Sequence, residues 1–163
     1  MNKSHIRQVE RRDLDDCYKI EKKCFPTKEA ATKKRIKKRI KTFPEGFLVA
    51  EIKDKVVGMI NSTSTNKNNL SLDRLKDMTN FERNGENIVV FSLAVDPDFQ
   101  GRGLSKVLMK AFISKCRELK KKKILLLCKE NMIKYYKKYG FKYLGESQSN
   151  HGNSKWHEMS LDI

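Results

Sequence analysis

The chain has 163 residues, 38% of them hydrophobic, which suits one domain with a lean single core and leaves no second domain to expect. Lysine and arginine total 36 against 20 acidic residues, a net charge of +16, concentrated at Lys33–Lys41 and Lys120–Lys123. No apolar run approaches a membrane span and the N-terminus MNKSHIRQVERRD lacks an apolar signal core, so neither insertion nor secretion is expected and the cytoplasm is the expected compartment. Cys17, Cys24, Cys116 and Cys128 form no C-x-x-C or Cys/His cluster, so reduced structural thiols are expected and no metal site. The basic runs admit a nucleic-acid partner, yet they lack aromatic interleaving and any DNA- or RNA-binding signature, and solvated lysine faces give the same pattern.

In chain order, Ile6 to Val9 alternates as a first strand, and Asp13 is placed to cap a helix through Phe25. On that helix Leu14, Cys17, Tyr18 and Cys24 can face a core, with Glu21 left to solvent. Pro26 ends it. Thr27 or Lys28 starts a second helix to Thr42, a surface element whose apolar stripe is Ile36, Ile40 and Phe43. Pro44-Glu45-Gly46 breaks it, and Phe47 to Ile52 pairs through Lys53-Asp54-Lys55 with Val56 to Asn61 as a hairpin. Ser62 to Asn87 reads as a polar connection holding one short helix marked by Leu70, Leu72, Leu75 and Met78; a stretch that long is more often functional than inert. Lys123 to Cys128 reads as a buried strand, and Glu130 or Asn131 starts a short helix to Tyr139, with Gly140 suited to a left-handed cap. Phe141 to Gly145 and Lys155 to Leu161 close the chain as strands around the polar loop Glu146–Ser154.

The most informative stretch is Ile88 to Lys106, IVVFSLAVDPDFQGRGLSK. Of its first eight residues only Ser92 is polar, as in a strand buried on both faces. Asp96-Pro97-Asp98 stops the strand, Gly101 and Gly103 bracket a turn, and Leu104, Val107, Leu108, Ala111, Phe112 and Leu119 form the stripe of a helix. Glycines ahead of a helix bare its first-turn N–H groups, which have no intrahelical partner and carry the positive end of the dipole. With Arg102 and Lys106 alongside, a phosphate or pyrophosphate is the natural guest. The plain alternative is a helix that merely begins with glycines. Neither a P-loop nor a G-x-G-x-x-G is present.

LAVDPDFQGRGLSKVLM resembles motif A of the GNAT superfamily of acetyl-CoA-dependent N-acetyltransferases, whose Q/R-x-x-G-x-G/A is met at Gln100, Gly103 and, with serine for the last small residue, Ser105. Tyr136-Lys-Lys-Tyr-Gly-Phe141 resembles the superfamily's Y-x-x-x-G-F. FPEGFLVAE near residue 43 and the S-x-S-x-H-G-x-x-x-W segment are similar to bacterial relatives of arylalkylamine (serotonin) N-acetyltransferase. The resemblance implies a single α/β (α+β) domain: a mixed, mostly antiparallel sheet of about seven strands, helices on both faces, splayed at the acetyl-CoA site. It implies that the backbone of Leu93, Ala94 and Val95 pairs with the pantetheine arm, that Gln100, Gly101, Arg102, Gly103, Leu104, Ser105 and Lys106 cradle the pyrophosphate, and that Asn131 also meets acetyl-CoA. The acceptor side falls to Phe25, Pro26, Phe43, His151 and Trp156, beneath the 62–87 connection. The implied partners are acetyl-CoA and a small primary amine, whether arylalkylamine, polyamine or other, with the chain a monomer or homodimer and neither nucleic acid nor membrane expected. A catalytically weak acyl-CoA sensor or a basic nucleic-acid-binding module on the same fold is the alternative.

Acetyl transfer from a thioester needs a neutral amine and help for the leaving thiolate. An amine of pKa near 10.4 is neutral about once in 2,500 at pH 7, a cost of about 4.6 kcal/mol, so a base, a water path or desolvation must contribute. The resemblance assigns the proton donor for the thiolate to Tyr136; without it, Tyr135, Tyr136 and Tyr139 read equally as aromatics packing a short helix. Vertebrate arylalkylamine enzymes carry two histidines on the central strand, where this sequence has Val89 and Phe91. His151 and His157 are left as candidate bases, each also readable as a surface or packing residue.

Overall fold

A computed structural model of the chain describes residues 3–68 and 73–163. Seven strands form one sheet in the order β1-β2-β3-β4-β5-β7-β6. They are β1 (His5–Gln8), β2 (Leu48–Ile52), β3 (Lys55–Thr65), β4 (Asn87–Val95), β5 (Lys123–Cys128), β6 (Lys142–Glu146) and β7 (His157–Asp162). Only β4 and β5 run parallel; the other five pairings are antiparallel. The parallel pair needs a crossover, which is supplied by α4 (Leu104–Glu118). The remaining helices are α1 (Leu14–Cys24), α2 (Lys33–Thr42), α3 (Asp73–Lys76) and α5 (Ile133–Lys137). Helices thus cover both faces of a mixed, mostly antiparallel sheet.

The core divides across the sheet. On one face Leu108, Met109, Phe112 and Cys116 of α4 pack against Ile60, Ile88, Val90, Ile124 and Leu126. On the other, Cys17 and Ile20 of α1 and Ile36 and Ile40 of α2 cover Val49, Val56, Met59 and Ala94. Burial raises the pKa of the Cys17 and Cys116 thiols, the latter to about 12, consistent with inert packing residues.

Several sequence expectations shift. The hairpin's second strand runs on through Ser62-Thr-Ser-Thr65, all buried, because β4 supplies a ladder along that whole length; the polar connection therefore begins four residues later. Two left-handed residues, Lys53 and Asp54, turn the hairpin. The second helix starts at Lys33 rather than 27 or 28: Thr32 Oγ caps Arg35 N–H, and residues 26–30 form a turn in which Glu29 and Ala30 N–H both bond Pro26 O. Val107, expected on the buried stripe of α4, is 43% exposed, while Met109 and Ile113 point inward. Leu70 and Leu72 lie outside the described residues; Leu75 and Met78 are buried. Most consequentially, Glu21 is 2% and Arg39 is 3% exposed, although both sit on helices whose charges read as solvated.

Candidate active site

The β4–β5 ladder ends at Val90↔Leu126. Beyond it β4 continues to Val95 and β5 to Cys128 without pairing to each other, so the sheet splays and each strand carries an unmatched backbone edge. A cavity of about 340 Å³ opens at the divergence, lined on the sheet side by Phe91, Ser92 and Leu93 and by Leu127, Cys128 and Lys129. Its volume falls in the ordinary range for small-molecule sites.

Below the splay, β4 runs into a tight turn through Pro97–Phe99, with Asp96 accepting from Asp98 N–H. Gly101 and Gly103 then take φ of +78° and +79°, and a Cβ at either would meet nothing within 4 Å. Glycine is required here by conformation rather than by crowding, and the turn presents bare backbone. Gly103 is the N-cap of α4, and among the described residues no acceptor takes the N–H groups of Gly101 to Lys106, the first helical bond being Val107 N to Gly103 O. The motif residues play unequal parts. Gln100 turns its side-chain amide to Val95 O at 2.9 Å, and Arg102 stacks 5.0 Å over Phe99. Leu104 is buried in the core, leaving only its backbone to the turn. Ser105 Oγ accepts from Tyr135 O–H at 2.9 Å, and Tyr135 in turn meets Tyr139 O–H at 3.0 Å. Val95 O, expected to be available as a strand edge, already accepts from Cys24 Sγ as well as Gln100.

Tyr136 is 8% exposed and lines the cavity. Its ring packs edge-on against Tyr135 at 5.1 Å and Phe141 at 5.7 Å. Its hydroxyl, unlike those of Tyr135 and Tyr139, has no hydrogen-bond partner among the described residues. Burial drives its pKa well above the usual phenol value, so the group is held as a protonated donor.

On the other side of the cavity, Phe25, Pro26, His151 and Trp156, the residues proposed for the acceptor, line the wall, as does Asn131, proposed for acetyl-CoA. Phe43 does not: it is 1% exposed in the α4-side core, packed 5.2 Å from Phe81, because it caps α2 and turns inward with the stripe it belongs to. The wall is tied together through Glu29. Its carboxylate pairs with Lys129 at 2.8 Å, its carbonyl meets His151 Nε2 at 3.0 Å, and Trp156 Nε1 donates to His151 O at 2.9 Å. His157 lies elsewhere, buried between β6 and β7 with Nδ1 2.9 Å from Tyr143 Oη.

Sequence reasoning missed Glu21. Its two carboxylate oxygens accept from Ser92 Oγ at 2.8 Å and Ala31 N–H at 2.9 Å, and it lines the cavity. Burial raises its pKa; the two hydrogen bonds, Arg39 and His151 act in the opposite direction and offset the rise only in part. Its position midway between Cys17 and Cys24, at steps of four and three, was the available signal. Among the described residues no group of three or more His, Cys, Asp or Glu side chains could hold a metal ion, and no helix is long and apolar enough to cross a membrane.

Comparison with known proteins agrees with this geometry. The chain is 38% identical over 58 residues, 36% of its length and 33% of the relative's, to the uncharacterized N-acetyltransferase ycf52 of Porphyra purpurea; it spans about a third of the curated relatives it first matches. The loading GNATL domain of CurA from Lyngbya majuscula superposes with a TM-score of 0.89 at 16% identity, covering 99% of this chain and 98% of that one. The GphF GNAT-like decarboxylase in complex with isobutyryl-CoA superposes with 0.83 at 14% identity, covering 97% and 98%. The Acetyltransferase (GNAT) family pattern matches residues 14–141. With the splayed strands, the glycine turn and that match spanning most of its length, the chain belongs to the GNAT acetyltransferase family.

Proposed function

We propose that the protein transfers the acetyl group of acetyl-CoA to a small primary amine by direct attack in a ternary complex. The observation that carries this is the pairing of two backbone surfaces in one turn of chain: the edge of β4 left without a strand partner from Phe91 to Ala94 and the N–H groups of Gly101 to Lys106 at the start of α4, which no acceptor takes among the described residues. A CoA molecule has the complementary chemistry, amides along its arm that can pair as a strand would and a pyrophosphate for a helix N-terminus. The isobutyryl-CoA in the GphF neighbour supports CoA as the carrier on this fold; the name of the ycf52 relative supports transfer to nitrogen.

Bound acetyl-CoA supplies an activated acetyl thioester; the remaining tasks fall to this chain. Glu21 takes the proton that the attacking ammonium must lose. A carboxyl group moved upward from its usual range is a better base near neutrality, and burial does that here. His151, joined to the same wall, is the second group able to accept a proton. Tyr136 Oη, with no acceptor to satisfy among the described residues, donates to the sulfur as negative charge develops there. The acceptor lies between Phe25, Pro26 and Trp156, which exclude water from the amine. The likeness of the C-terminal segment to arylalkylamine enzymes makes aromatic amines one group to test.

Calorimetric titration with acetyl-CoA, followed by thiol release across a panel of primary amines, tests the proposal. Micromolar binding and amine-dependent thiol release are expected. Failure to bind CoA at micromolar concentration overturns it, and a salt-sensitive, sequence-independent gel shift without thiol release would favour a basic nucleic-acid-binding module instead.

A further inference from the structure

Acetyl transfer accounts for Glu21 but not for the buried arginine facing the same cavity. Beneath α1 and α2, Asn61 of β3 stands opposite Ser92 of β4, and the next pair is Ser62 with Val90, leaving Phe91 as an extra residue. Such bulges re-aim side chains beside functional sites. Here Ser92 reaches Glu21, and Phe91 lies under the guanidinium of Arg39, 4.3 Å from ring centroid to Cζ.

Arg39 lines the cavity and is 3% exposed. Its Nη1 donates to Asn61 Oδ1 at 3.1 Å and its Nη2 makes a long 3.5 Å contact with Lys76 O. Among the described residues its Nε has no acceptor and no carboxylate lies within ion-pair distance of it. Burial pulls its pKa down to about 10, so it is still a cation at neutral pH. A buried guanidinium held only by neutral partners is costly. The unpartnered Nε, beside an Nη2 that makes only that long contact, forms the side-on fork that a carboxylate fills with two parallel hydrogen bonds. Glu21 does not fill it: no hydrogen bond or ion pair joins the two among the described residues, and its oxygens turn toward Ser92 and Ala31.

We infer that the acceptor carries a carboxylate beside its amine, that is, a free amino acid or an amino carboxylate of that size, with the carboxylate on the Nε/Nη2 edge of Arg39 and the amino group toward Glu21. The cavity of about 340 Å³ sits at the small end of ligand sites and must also admit the thioester, which fits an acceptor of amino-acid size. The acetyl-transfer proposal bears on this only through the fate of the amine; the carboxylate site rests on the fork itself.

Calorimetry on the CoA-loaded protein with leucine, leucinamide and isoamylamine, and with the pairs alanine/ethylamine and lysine/cadaverine, provides the test. At least one amino acid is expected to bind tenfold or more tightly than its decarboxylated counterpart, with leucinamide behind leucine. Arg39→Gln should bring each pair within about twofold, and Arg39→Lys should restore part of the preference. Because Arg39 variants also remove a buried group from the α1–α2 layer, Asn61→Asp is the second probe: it gives Arg39 an internal counter-ion, and should abolish the preference while the melting temperature holds or rises. Equal or tighter binding of the amines or of leucinamide, or no saturation by any amino acid at millimolar concentration, overturns the inference. Thiol release with the same panel separates the two proposals. Amino acids that bind but are not acetylated would defeat the transfer proposal alone; amines acetylated without preference would defeat the carboxylate site alone.

Discussion

Replacing Tyr136 with phenylalanine removes one oxygen and almost nothing else. The ring contacts to Tyr135 and Phe141 survive, and the deleted hydroxyl breaks no hydrogen bond among the described residues, so stability should stay within about 1 kcal/mol of wild type. The effect on rate follows from the environment of the phenol. General acids are typically worth about 10²–10⁴-fold, or about 2.7–5.4 kcal/mol. An unperturbed phenol is a weaker acid than a thiol of pKa near 8.5 by about 2 kcal/mol, and burial raises the Tyr136 pKa further. In the proposed reaction complete proton transfer to the departing sulfur is therefore uphill, and the hydroxyl would act chiefly as a hydrogen-bond donor to developing charge. The expected loss in kcat is accordingly about tenfold to a hundredfold, the low end of the range, with CoA affinity unchanged. Tyr135→Phe offers the contrast, since it severs the chain from Ser105 to Tyr139: it should lower stability by about 1 kcal/mol and leave kcat within about threefold. Single-turnover thiol release measures the chemical step, and thermal melts the stability. A Tyr136→Phe enzyme with wild-type kcat under those conditions would refute the assignment and leave solvent as the proton source.

Other outcomes follow from the same geometry. Glu21→Gln should reduce kcat by about 10²-fold or more and remove the acidic limb of the kcat profile, which in the wild type should lie above the ordinary carboxylate range; an unchanged profile would transfer the base to His151 or water. Since the folded pKa of Glu21 is raised, the native state holds its proton more tightly than the unfolded chain, and this residue's contribution to stability falls as pH climbs from the usual carboxylate value through the folded one. Glu21→Gln should flatten that decline in melts from pH 4.5 to 7.5. Gly103→Val forces a branched residue into φ of +79° and puts bulk beside the bare N–H groups, so CoA affinity should drop at least tenfold, whereas Arg102→Ala, losing an exposed charge stacked on Phe99, should cost less than about threefold. Lys121, 7% exposed, donates to Ser64 Oγ, Arg83 O and Gly85 O at 2.7–2.9 Å; Lys121→Met should destabilise the protein by about 2–4 kcal/mol in denaturant titrations without altering kcat.

The central strand, the glycine turn and α4 were legible because each depends on local chemistry: an unbroken apolar run, residues that tolerate positive φ, and a helical stripe. The acceptor side was not. Arg39 falls on the same stripe as Ile36, Ile40 and Phe43, three residues after the first and four before the last, yet a guanidinium reads as solvated until a bulge at Phe91 and an amide at Asn61 are seen to receive it. Glu21 escaped for the same reason. Ser62 to Thr65 look like a loop by composition and are strand because β4 lies alongside. Phe43 errs in the opposite sense, as an aromatic near the motif that the core claims before the cleft can. In each case a partner distant in sequence decided the role, and pattern along the chain carries no record of such partners.

Glu29 joins three segments, reaching Lys129 at the end of β5 and His151 in the last loop, while Gly152 packs so closely that a Cβ there would come within 2.6 Å of Glu29 Cγ. This clasp lies entirely on loops, whereas the donor half is built from main chain on strands and a helix. The two halves can therefore change independently: under the proposed reaction, exchanging side chains at the clasp would re-tailor which acceptors enter while the main-chain half stays as it is. A binding site divided in this way can acquire new acceptors by loop substitution alone, which makes positions 29 and 152 the places to begin when altering specificity.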